Sequence, residues 1–74
     1  MNPNILLASR AIARILETRN DSADSYSVRA RFLLHEAMSG HILGDCLELT
    51  ERRLEAAKGF ALQSIPLSAW IRKA

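Results

Sequence analysis

Residues 43–65 read LGDCLELTERRLEAAKGFALQSI, and their spacing decides the fold. Leu43, Leu47, Thr50, Leu54, Ala57, Ala61 and Ile65 recur at intervals of 4, 3, 4, 3, 4 and 4 residues. At about 100° per residue this pattern lines one face of an α-helix, and it predicts a helix over about 42–64. Asp45 followed by Glu48 gives a start resembling a capping box, and Glu48 with Arg52 forms an i,i+4 pair in the favourable order. Pro66 stops the helix at or before Ile65, because a residue before proline is pushed out of the helical region. Ser64 can then cap a short last helix over about 66–73, with Leu67, Trp70 and Ile71 on one side and Arg72 and Lys73 at its C-terminus, where cations suit the helix dipole.

The same period extends toward the N-terminus. Asn2 as N-cap and Pro3 at the first helical position open a helix over about 3–18. Ile5, Ala8, Ile12, Ile15 and Leu16 share one face and Arg10, Arg14 and Glu17 the other, while Leu7 projects on the Arg14 side. RNDSADSYS, residues 19–27, reads as a linker rich in side chains that bond their own backbone, with Asp21 or Ser22 available as a cap. A second helix is expected over about 22–39, stopped by Gly40, with Tyr26, Ala30, Leu33, Leu34, Ala37 and Met38 as its main stripe. The fold class is therefore all-α: a single domain, a small bundle of three main helices plus a short C-terminal helix.

Composition agrees with this class and sets limits on it. Hydrophobic residues make up 49% of the 74 while aromatics make up 5%, the balance of a chain rich in Ala, Leu and Ile rather than of a β-sandwich or a disordered tail. A domain of this size buries only about 60% of the surface its unfolded chain exposes, so small domains usually carry a staple. A single cysteine, Cys46, excludes an internal disulfide and a Cys-based zinc site, which leaves self-association as the available staple. No apolar run approaches the roughly 18 residues of a membrane span, since NILLASRAIARIL is interrupted by Arg10 and Arg14. The free thiol and the lack of a secretory signal pattern point to a cytoplasmic protein.

Catalysis requires a base or nucleophile held beside a second polar group, and His35, Glu36, His41, Asp45 and Cys46 form the sole cluster worth testing. His35 and His41 lie six residues apart across an expected helix end, which does not place two ligands on one helical face. Cys46 at the edge of the main stripe reads as a small buried hydrophobe, with His35 on a wetted face and His41 in a connection. Gly40, Gly44 and Gly59 are scattered and build no phosphate loop. The sequence is accordingly read as non-enzymatic, with no cofactor, no metal and no small-molecule substrate.

Two binding classes remain. Eight arginines are spread along the chain, the net charge is +2, and Arg52 is interleaved with Glu48, Glu51 and Glu55, a pattern typical of a solvated surface rather than a groove reader. A helix-turn-helix would place a small residue four before its turn glycine, where Glu36 and Glu55 stand. Residues 47–74, LELTERRLEAAKGFALQSIPLSAWIRKA, resemble the helical part of ribbon-helix-helix DNA-binding proteins through a Leu-Thr-Glu entry and an SAWIRKA-like second helix. That resemblance implies a dimeric DNA-binding regulator and a strand near Cys46, Leu47, Glu48 and Leu49, which offers an acid and no base to a groove.

The stronger sign is apolar. Val28, Phe32, His35 and Ser39 form a second strip on helix 2, and Leu49, Ala56 and Phe60 form one on helix 3 with Arg53 between them. Strips of this kind need a cover, and obligate small oligomers resemble a core cut in half. The expectation is a protein-binding module, itself a homodimer, acting as an inhibitor, adaptor or regulatory subunit. Its contact residues are expected to be Leu7, Phe32, Leu49, Arg53, Phe60, Trp70 and Arg72, since buried aromatics and arginines anchor such interfaces. Nucleic acid is the second candidate partner, and a membrane is not one.

Overall fold

The structure, a computed structural model, describes residues 2–19 and 25–69. Three helices, α1 (Pro3–Glu17), α2 (Ser25–Ile42) and α3 (Leu47–Gln63), pack together. Residues 67–69 form a further helical turn, in which the Ala69 N–H donates to the Pro66 carbonyl at 3.0 Å. Among the described residues there is no strand, only an isolated bridge between Arg19 and Pro66. No helix of the described residues is long and apolar enough to cross a membrane.

α1 begins as its sequence dictates. The Asn2 side chain accepts from the Asn4 N–H at 2.8 Å and the Ile5 N–H at 3.4 Å, satisfying two donors that have no partner within the helix. At its other end the Thr18 hydroxyl donates to the Ile15 carbonyl at 2.7 Å. Two arginines then add side-chain bonds to carbonyls at the helix ends. Arg31 of α2 donates to the Leu16 carbonyl at 2.8 Å, and Arg19 donates to the Ala61 carbonyl near the end of α3 at 3.2 Å. The Leu67 N–H closes the same corner on the Thr18 carbonyl at 2.6 Å. These bonds hold the C-termini of α1 and α3 side by side, so α1 runs parallel to α3 and antiparallel to α2.

α2 and α3 share the most extensive contact, and it is made of small side chains. Ser27, Ala30 and Ala37 of α2 and Thr50, Ala57 and Ala61 of α3 are all at 0% exposure. Small residues let two helix backbones approach closely, which turns many short-range contacts into cohesion without large side chains. The larger core members come mainly from α1: Ile5, Ile12 and Leu16 pack with Leu54 of α3. Three hydroxyls buried in this core donate to backbone carbonyls, Ser9 to Leu6 at 2.8 Å, Thr50 to Cys46 at 3.4 Å and Ser64 to Ala61 at 2.6 Å, so their burial leaves no orphaned donor.

Several expectations are corrected at the connection between α2 and α3. Gly40 does not stop α2, which continues to Ile42; Gly44, at φ 99, is the left-handed residue. α3 starts at Leu47 rather than near 42, so Leu43 falls in the turn at 85% exposure and leaves the core stripe, and Leu47 at 44% and Ile65 at 40% lie at its exposed ends. Cys46 is the N-cap residue of α3 without a side-chain cap bond, and it is exposed rather than buried. Asp45 makes no capping box; its carboxylate accepts from Arg53 Nη1 at 2.6 Å. The segment that the ribbon-helix-helix likeness would make a strand is this cap and the first turn of α3. Tyr26 of the α2 main stripe is exposed at the rim of the core. The expected caps Asp21 and Ser22 lie outside the described residues.

Gly59 needs no glycine, since a Cβ added there meets nothing within 4 Å. Gly59→Ala is expected to raise stability by up to about 1 kcal/mol through helix propensity. Ala57→Leu, in the α2–α3 seam, is expected to lower it by about 1–3 kcal/mol through overpacking, while Ala56→Leu on the exposed neighbour stays within about 0.5 kcal/mol. Chemical denaturation of the three variants checks all three.

Candidate interaction surface

The side of α2 turned away from the core carries Val28, Phe32, His35, Ser39 and Ile42, at spacings of 4, 3, 4 and 3 residues. Because Ala30 and Ala37 anchor the opposite side in the core, this strip faces outward along nearly the whole helix. Val28 is 52%, Phe32 66% and Ile42 69% exposed, His35 is exposed, and Ser39 is half-buried. No charged residue interrupts it. Arg29 and Glu36, seven residues apart, run along one flank, and Arg31, bonded to the Leu16 carbonyl, lies on the other. Ile42 entered the strip only because α2 runs past Gly40. The 4-3 spacing that continues from Ser39 was the available signal for it.

On α3, Phe60 of the expected strip and the intervening Arg53 are engaged inside the molecule. Phe60 is half-buried, stacked on Tyr26 with ring centroids 6.3 Å apart and an interplanar angle of 24°, and the Arg29 guanidinium sits 5.3 Å from its centroid. Arg53 is half-buried in its pair with Asp45, and Gly40 leaves the space for that pair, because a Cβ there would collide with the Asp45 carboxylate and the Arg53 guanidinium. Leu49 lies at the margin of exposure and Ala56 is exposed. Phe60 and Arg53 thus both join α2 to α3.

Leu7 is 63% exposed on the side of α1 opposite its buried Ile5, Ile12 and Leu16. Trp70 and Arg72 lie outside the described residues. The sequence gives no sign of an apolar tip: Ile42, Leu43, Cys46 and Leu47 are all exposed where α2 turns into α3.

The polar groups gather into no reactive set. His35 is exposed on α2, as its spacing implied, and His41 is in the last turn of α2 rather than in the connection. The His41 Nδ1 atom is buried with no hydrogen-bond partner among the described residues. No three His, Cys, Asp or Glu side chains of the described residues are placed to hold a metal ion. An open hollow between α1 and α2 is lined by Leu16, Glu17, Arg31, Leu34, His35 and Met38, with an apolar floor and no nucleophile.

The molecule is a three-helix bundle with a short helical extension. The chain matches no family model, no curated protein and no solved structure.

The internal roles of these residues separate them by stability. Phe60→Ala is expected to cost roughly 2 kcal/mol, about half the value for a fully buried ring. Leu7→Ala stays within about 0.5 kcal/mol, as an outward side chain should. Equal losses for the two in urea unfolding would contradict the assignment.

Proposed function

We propose that this chain is a small non-enzymatic, cytoplasmic protein-binding module that self-associates and acts by occluding or bridging a partner protein. The observation that supports this reading is the uncharged strip Val28, Phe32, His35, Ser39 and Ile42 on the outer side of α2. A single exposed leucine on a small protein needs no explanation, but an aromatic and two β-branched residues aligned with His35 and Ser39 along one uncovered helix face are the kind of apolar exposure that marks contact sites. Helix-in-groove recognition uses such i, i+4, i+7 anchors. Phe32 is the largest of them and is held on a rigid helix, which lowers the entropy cost of ordering it on binding.

A partner covering the strip buries an apolar surface, so its complex survives moderate salt, whereas binding through phosphates weakens by orders of magnitude. The expected outcome is that tagged wild-type protein retains a stoichiometric partner protein at roughly 200–300 mM salt, where phosphate contacts fail, and that Phe32→Glu loses it with helix content unchanged by circular dichroism. Retention by Phe32→Glu, or a wild type that binds arbitrary duplex DNA at low salt and no protein, overturns the reading.

A further inference from the structure

We infer that the outer strip of α2 is covered by the same strip of a second copy of this chain, with the two helices antiparallel and Phe32 beside the two-fold axis. The inference rests on the reading of this strip as a protein-contact surface and names its occupant. Spacings of 4, 3, 4 and 3 over Val28, Phe32, His35, Ser39 and Ile42 are those of a coiled-coil seam, in which alternate positions interlock with a facing helix. An amphipathic helix that only meets water on its far side has no reason to repeat that spacing there with uncharged residues.

The charges along the flank select the partner. In an antiparallel pair of identical helices, each flank meets the same flank of the other copy. Arg29 and Glu36 lie on one flank, so a two-fold axis between them sets each Arg29 against the partner's Glu36 and each Glu36 against the partner's Arg29. The same register places Phe32 against His35 of the partner subunit, and Val28 against Ser39 of the partner subunit. Glu36 is exposed and has no ion-pair partner among the described residues, and Arg29 already stands at the rim with its guanidinium over Phe60. A parallel pair would instead need Arg31 to reach Glu36 of the partner subunit, and Arg31 is bonded to the Leu16 carbonyl of its own chain. Such a symmetric, self-complementary contact is the commonest closed assembly. It also supplies a staple to a core whose large buried aliphatics, among the described residues, are Ile5, Ile12, Leu16 and Leu54 alone.

The full chain tests this by mass in solution over roughly 1 µM to 1 mM, the range of modest interfaces, with reductant present because Cys46 is exposed. Wild type is expected to pass from monomer to dimer across that range. Phe32→Glu is expected to weaken the dimer at least about 100-fold with helix content retained. Arg29→Glu weakens it about tenfold by setting a carboxylate against the partner's Glu36 in both halves, and the double variant Arg29→Glu with Glu36→Arg restores it to within about threefold. A wild type that stays monomeric throughout overturns the second copy as occupant and the self-association in the broader reading with it, and if Phe32→Glu then still abolishes capture of a partner protein, protein binding through this strip stands alone. A dimer indifferent to Phe32→Glu, or a double variant no better than Arg29→Glu, overturns the antiparallel α2 pairing.

Discussion

Close approach of α2 and α3 is the constraint from which the rest of the structure follows. Ser27, Ala30 and Ala37 against Thr50, Ala57 and Ala61 bring the two helices together at a seam with no room for a large side chain. A seam of small residues gains little hydrophobic free energy per residue, because the area each removes from water is modest. Its cohesion comes from the density of contacts, and so it demands a good geometric fit. The ends of the hairpin are fastened by longer side chains: Tyr26, Phe60 and Arg29 at one end, Asp45 and Arg53 across Gly40 at the other.

α1 then supplies what the seam lacks. Its Ile5, Ile12 and Leu16 cover one side of the hairpin, and Arg31 and Arg19 secure its C-terminal corner by bonding backbone carbonyls of α1 and α3. With α1 on one side and α3 on another, the third side of α2 has no neighbour among the described residues, and the residues there are Val28, Phe32 and Ile42 rather than the charged side chains a solvated helix would carry. The exposed strip is thus a consequence of the architecture: among the described residues, α1 and α3 leave one face of α2 uncovered, and that face carries Val28, Phe32 and Ile42.

Much of this was legible in the sequence, and the failures have identifiable causes. The core side of α3 was readable because Thr50, Leu54, Ala57 and Ala61 keep their period through its middle. Its extension to Leu43 failed because periodicity is blind to a left-handed residue at Gly44, which breaks the chain direction while the spacing runs on. Gly40 was assigned the role of terminator on residue type alone, whereas it is a helical residue whose missing Cβ makes space for an ion pair eight residues apart in sequence. Phe60 and Arg53, expected as anchors for an outside partner, also make contacts within the chain that the sequence does not show, since a helical wheel tells which side a residue faces and not which neighbour waits there. The exposure of Phe32 and Leu7 follows from their place opposite the core stripes of α2 and α1. Arg19 and Arg31 carried no pattern at all, because a guanidinium bonded to a distant carbonyl has no local signature.

If two copies of the chain meet through α2, its outer face is covered between them and the outer face of α1 is not. Methyl resonances of Val28 and Ile42, followed by NMR on dilution of the wild-type protein in reductant, report on that face without altering it. Both are expected to shift with concentration along a single transition while Leu7 stays fixed. Val28 and Ile42 signals that are unchanged across the series, or a Leu7 shift as large as theirs, would contradict it.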